Sequence, residues 1–153
     1  MALQLLPMDE QDYESYARQT IEDFAQHLIL IRSLSFLEAQ NEAEKSLKKS
    51  LPDGFQTGNT HFLKIMKDDE HIGFMRFEIR EVGTLKLAFG WDFKIFEAFR
   101  GHGFSAMVAA KNHLKELGCS KFALHTFAKN ERAVNLYKAV GFSVDSYNMS
   151  MDL

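Results

Sequence analysis

Apolar residues recur along the chain with two periods, and the switches between them mark the elements. Leu3-Gln4-Leu5-Leu6-Pro7-Met8 reads as a short strand stopped near Pro7, which cannot donate to a ladder. From Asp12 the period becomes helical, with Ala17, Ile21, Phe24, Leu28 and Ile31 at four-then-three spacing. Ser35-Phe36-Leu37-Glu38 fits a capping box, in which the serine bonds a free N–H and the glutamate reaches back. It opens a second helix through Ala39, Ala43 and Leu47, ended by Leu51-Pro52-Asp53-Gly54. Strands then dominate. Residues 61–66 and 72–80 flank the polar connection Lys67-Asp68-Asp69-Glu70, and Glu81-Val82-Gly83-Thr84 leads to a third strand, residues 85–96. A glycine-bearing turn follows, then a helix over residues 107–117 with Met107, Ala110, Leu114 and Leu117 inward and Gly118 at its end. Residues 121–127 read as a strand. Asn130 caps a helix carrying Ala133, Leu136, Tyr137 and Val140 and closed by Gly141. Residues 142–153 complete the pattern as a last strand, broken near Asp145-Ser146.

The order is β-α-α-β-β-β-α-β-α-β. Three short-linked strands make an antiparallel meander. The strand–helix–strand unit around the glycine turn makes a right-handed parallel crossover. The expected fold class is therefore α/β: one domain over residues 1–153, with a mixed central sheet flanked by helices. Composition narrows the class. Apolar residues are 46% and charged residues 25%, a globular balance that excludes disorder. Fourteen Phe suggest tight aromatic packing. A net charge of −3 argues against a nucleic-acid partner, since counterion-driven binding needs a basic face. No apolar run nears the ~20 residues of a membrane helix, and the N-terminus lacks the pattern of an export signal. No membrane partner and a cytoplasmic location are expected. The single cysteine, Cys119, excludes an internal disulfide and a cysteine-based metal cluster. The histidines show no metal spacing, so no metal is expected.

The stretch Phe99-Arg100-Gly101-His102-Gly103-Phe104-Ser105-Ala106 carries the first chemistry. A strand that ends in a glycine turn and opens a helix builds an anion site from backbone N–H groups and the helix dipole. Gly101-x-Gly103-x-x-Ala106 formally fits a dinucleotide fingerprint. That motif, however, belongs to a first βαβ unit and needs an acid about 20 residues on. Residues 121–127 contain no Asp or Glu. A P-loop is excluded because no Gly-Lys-Ser/Thr follows.

In the register Arg100-x-x-Gly103-x-Ser105 the stretch resembles the Q/R-x-x-G-x-G/A motif of the GNAT family of N-acetyltransferases, with Ser105 in place of Gly or Ala. The proline usual before that motif is absent. A second stretch, Asn130 to Phe142, matches the family's N-x-x-A-x-x-L-Y-x-x-x-G-F at every fixed position: Asn130, Ala133, Leu136, Tyr137, Gly141 and Phe142. The element order fits the GNAT fold over nearly the whole chain.

The resemblance implies acetyl-CoA as cosubstrate and an amine, small-molecule or peptide, as acceptor. It implies that the backbone of Phe93, Lys94 and Ile95 pairs with the pantetheine arm of acetyl-CoA. The pyrophosphate would lie on Arg100, Gly101, His102, Gly103, Phe104 and Ser105, with Asn130 touching the arm. Tyr137 would be the general acid for the departing thiolate, and its bland alternative is a core tyrosine on an amphipathic helix. Asp92 is the first candidate for a water-mediated base or an amine-orienting anion, Glu78 the second and His125 the third. Cys119 follows a helix C-terminus, where the dipole raises a thiol pKa, which favours direct transfer over an acyl-enzyme. The alternative function is a non-catalytic acyl-CoA-binding sensor or interaction module. A homodimer is also among the expectations, and the acceptor's identity is not legible.

Overall fold

The computed structural model describes residues 3–153. Five strands form one sheet in the order β1-β2-β3-β4-β5: β1 Gln4–Pro7, β2 Thr60–Lys67, β3 Glu70–Val82, β4 Leu85–Ile95 and β5 Lys121–Leu124. The first four are antiparallel neighbours, and β5 runs parallel to β4. Helices α1 Glu10–Arg32, α2 Phe36–Ser50, α3 Gly103–Glu116 and α4 Glu131–Val140 complete the chain. The expected mixed sheet is the observed one.

Alternation along the strands sorts the core into two faces. Leu63, Ile65, Met75, Phe77 and Ala88 pack with Ala106, Ala110 and Leu114 of α3. Phe62 and Phe74 point the other way, onto Met8, Tyr16 and Leu51 at α1 and the end of α2. Between α1 and α2 lie Ala25, Leu28, Ala39 and Ala43, small residues that let the two helices approach closely. The Ser35–Glu38 capping box forms as read, and a second one, Asp9 with Asp12, opens α1. Two glycine positions are dictated by geometry. A Cβ on Gly73 would stand 2.1 Å from the Lys94 carbonyl oxygen across the β3–β4 pair, and Gly101 has φ +99.

Three sequence expectations are corrected. The third helix starts at Gly103, not at residue 107, so the second half of the glycine motif is its first turn. Strand β5 stops at Leu124 instead of reaching residue 127, because β4 bends away from it there. The last strand, expected over residues 142–153, is absent, and that segment has no regular secondary structure. A strand exists only as part of a pair. The free outer edge of β5 is separated from this tail by a groove that both line.

Candidate active site

The glycine turn and α3 meet at a helix N-terminus unlike those of α1, α2 and α4. Asp9, Ser35 and Asn130 each accept a bond from an N–H of their helix's first turn. His102, at the same position of α3, makes no such bond, and no acidic residue occupies the first turn. The Ala106 N–H bonds the His102 carbonyl, 3.0 Å, which leaves the N–H groups of Gly103, Phe104 and Ser105 outside the helical ladder. The positive φ of Gly101 sets the turn that aims them. Gly103 is constrained by packing, since a Cβ there would stand 3.1 Å from Leu136 Cδ2 of α4. The His102 ring lies 3.5 Å from Lys67 Nζ. Arg100 is exposed, its guanidinium 4.0 Å from Glu97. Phe104 and Ser105 are exposed as well. The cradle is built from backbone, with cationic side chains at its rim.

Beside it the sheet opens. Parallel pairing of β4 and β5 runs from Leu87↔Lys121 to Gly90↔Leu124 and ends. Register between β3 and β4 shifts at the same level: Phe77 pairs with Gly90 and Arg76 with Asp92, so Trp91 is an extra residue, a bulge. A bulge bends its strand and raises its local twist. The bend carries Phe93, Lys94 and Ile95 away from β5 while they stay paired to Met75, Phe74 and Gly73 of β3. Their other edge has no strand on it. The side chains do ordinary work: Phe93 and Ile95 pack on the core, and Lys94 pairs with Asp23 of α1 at 2.7 Å.

A small pocket sits at the point of divergence, lined by Asp92, Trp91, His125 and Tyr137 among others. Two of the sequence-derived candidates, Asp92 and Tyr137, thus meet, and His125 joins them from the end of β5. Asp92 is heavily engaged. Its Oδ2 accepts from the Tyr16 hydroxyl and from Arg76 Nε at 3.0 Å. Arg76 is buried, donates also to Ser50 Oγ at 3.2 Å, and lies 5.0 Å from the centre of the Trp91 ring. Burial, with the Asp92 carboxylate adding to it, pushes the Tyr16 hydroxyl well above the ordinary tyrosine pKa. Tyr137 is half-buried on α4, with its ring edge-on to Phe142 at 5.7 Å. Burial raises its pKa too. Its hydroxyl has no hydrogen-bond partner among the described residues.

Other candidates stand apart. Glu78 does not line the pocket: its Oε1 accepts from Arg80 Nε at 3.1 Å and from Trp91 Nε1 at 3.2 Å. Asn130 caps α4 through the Ala133 N–H at 3.4 Å. Cys119 lies just past α3 and outside this pocket. Among the described residues no three His, Cys, Asp or Glu side chains gather as a metal site, and no helix is long and apolar enough to cross a membrane. Sequence reasoning missed Tyr16, Ser50, Arg76 and Trp91. The one visible signal was Arg76, a lone charge in the apolar run Phe74-Met75-Arg76-Phe77. A charge so placed needs a partner.

Comparison with known proteins agrees with this fold. YdgE of Bacillus subtilis (strain 168), an uncharacterized N-acetyltransferase, is 31% identical over 156 residues, covering 100% of this chain and 99% of that protein. YycN of the same organism, also an uncharacterized N-acetyltransferase, is 26% identical and covered in full by this chain. The crystal structure of YycN superposes with a TM-score of 0.91 over 99% of each chain. A structure of AAC(6')-Iy in complex with a bisubstrate analogue shares the fold at 16% identity and a TM-score of 0.61, covering 100% of this chain and 99% of that one. The Acetyltransferase (GNAT) family matches residues 17–142. The chain belongs to the GNAT acetyltransferase family.

Proposed function

We propose that this protein transfers the acetyl group of acetyl-CoA directly to an amine. One observation carries the reading: β4 leaves β5 after Gly90↔Leu124, beside a helix whose first-turn N–H groups have no side-chain cap. An unpaired strand edge can take up the amide-bearing arm of the cosubstrate, and free N–H groups at a helix N-terminus suit its pyrophosphate. The residues present fit that group. Phe93, Lys94 and Ile95 would hold the arm through their backbone. Gly103, Phe104 and Ser105 would hold the phosphates through N–H groups, with Gly101 setting the turn, Arg100 adding positive charge at the rim and the His102 ring beside it. Asn130, exposed at the start of α4, would touch the arm. When bound, acetyl-CoA supplies an acetyl thioester.

Tyr137 is the general acid in this reading. A phenol is protonated at neutral pH, and burial raises this one's pKa further, so its hydroxyl is ready to donate to a departing thiolate. An unperturbed alkylammonium has a pKa of about 10.4 and must lose a proton before it attacks. Asp92 is the group assigned to that proton, through water. Its Oδ2 is held by Tyr16 and Arg76, which leaves Oδ1 for this task. No cysteine lies at the pocket, which supports direct attack over an acyl-enzyme.

Isothermal titration with acetyl-CoA tests the first half, and no heat at millimolar ligand sinks it. A thiol-release screen across amine classes tests the second. Binding without release in any class favours the non-catalytic sensor.

A further inference from the structure

Trp91 and Asp92 are consecutive residues that reach the same side of the sheet, which a regular strand forbids. Trp91 touches Arg76 and Glu78, alternate residues of β3, and Asp92 pairs with Arg76. The bulge makes this possible, because an extra residue re-aims the side chain it carries. The ring it delivers is firmly held. The Arg76 guanidinium lies over it, 5.0 Å from the centre, Phe89 stands edge-on at 5.1 Å, and Nε1–H donates to Glu78 Oε1 at 3.2 Å. Three contacts thus fix a large apolar side chain that stays 40% exposed while lining the pocket of Asp92 and Tyr137. His125 lines the same pocket and carries the aromatic surface on, edge-on at 5.1 Å to the exposed Phe127.

Charge around the ring is already matched. Asp92 is paired with Arg76 and Glu78 with Arg80, both at 3.0 Å. The Arg80 guanidinium also lies over Phe89, 4.5 Å from the ring centre. Both exposed-side rings therefore carry a protein cation, and a further cation drawn to either would meet that charge at close range. One carboxylate oxygen, Asp92 Oδ1, has no partner among the described residues, which suffices for a single amine. A polycation gains little here. An aromatic body gains by packing on a ring that is already immobilised, so little ordering cost opposes it.

We propose that Trp91 is the specificity-determining residue for the acceptor, and that the acceptor is a monoamine carrying an aromatic ring. The ring would pack on Trp91 while the amine lies at Asp92. What the site does with that amine rests on the acetyl-transfer reading, whereas its binding at Trp91 is measurable without turnover.

The chain has one tryptophan, so intrinsic fluorescence reports this position alone. The intact protein, with coenzyme A present, is titrated with 2-phenylethylamine, hexylamine and spermidine at equal ionic strength. A saturable change is expected with 2-phenylethylamine, at about tenfold lower concentration than with either of the others. Trp91→Leu keeps apolar bulk and removes the ring. By calorimetry it should weaken 2-phenylethylamine about tenfold and hexylamine less than about twofold, while Trp91→Phe restores most of the difference. No saturable change in the parent protein overturns the proposal whether or not the variants fold. So does spermidine or hexylamine binding as tightly as 2-phenylethylamine, or an unchanged affinity in a folded Trp91→Leu. If 2-phenylethylamine binds as expected but draws no thiol from acetyl-CoA, the aromatic site stands and the transfer reading falls.

Discussion

Asp92 and Tyr137 line the same pocket and are held in opposite ways. Asp92 is bound on one oxygen by a hydroxyl from α1 and a guanidinium from β3, and through Arg76 it is tied to α2. Tyr137 is positioned by packing, with Phe142 against its ring and no partner on its oxygen among the described residues. A buried charge needs fixed partners or it destabilises the fold. A neutral hydroxyl beside a cleft can remain unpaired at little cost, which leaves its proton free to move. In the proposed mechanism the difference separates a group whose removal damages the molecule from one whose removal damages only the reaction.

The largest expected effect is on the Asp92 side. Asp92→Ala leaves the Arg76 guanidinium buried without its anion, and should lower unfolding free energy by about 3–5 kcal/mol in urea denaturation. Turnover should fall with it. In an Arg76→Met background the same substitution should cost much less, because no orphaned charge remains. Equal costs in both backgrounds would show that the pair is not what holds these elements together.

Tyr137→Phe is the counterpart. It removes no hydrogen bond, so stability and acetyl-CoA affinity should be nearly unchanged, while kcat falls by ~10²–10⁴-fold. A large loss of stability would erase the contrast with Asp92. Unchanged kcat would remove Tyr137 from the mechanism.

Next in size is Tyr16→Phe, which takes one of the two anchors from Asp92 and leaves the other. A hydrogen bond to a charged group is worth about 1.5–3 kcal/mol, and the loss should lie at or below that range because Arg76 remains. Phe is otherwise a close fit among Phe62 and Phe74. The variant should also respond less to alkali, since the titrating group is gone.

Much of this was legible in the chain, for definable reasons. Period and capping residues are local, so the helices opened by Ser35 and Asn130 and the three-stranded meander could be read directly. The two motifs place Tyr137 and the glycine cradle because each is fixed by short-range geometry. The partners of Asp92 could not be read, since Tyr16 and Arg76 lie 76 and 16 residues away and meet it only after the sheet forms. The Trp91 bulge was hidden because a register shift is a property of two strands together. The tail is the instructive miss: residues 142–153 read as a last strand, yet the segment has no regular structure and β5 keeps an unpaired edge, because pairing is a property of two segments together.

The smallest expected effect separates the two tyrosines by pH. Burial raises both pKa values, but only Tyr16 also has the Asp92 carboxylate against it. As the proposed general acid Tyr137 must be protonated to act, so a raised pKa moves the alkaline limb of kcat upward, above about pH 10 where a free tyrosine titrates. Tyr16 governs stability. Its folded pKa lies above its unfolded one, so the neutral form's contribution is complete below about pH 10 and is lost as pH rises through the folded value. Tyr16→Phe should therefore flatten the alkaline decline in melting temperature without moving the kcat limb. If the limb moves with Tyr16→Phe and stays in place with Tyr137→Phe, the roles assigned to the two tyrosines are reversed.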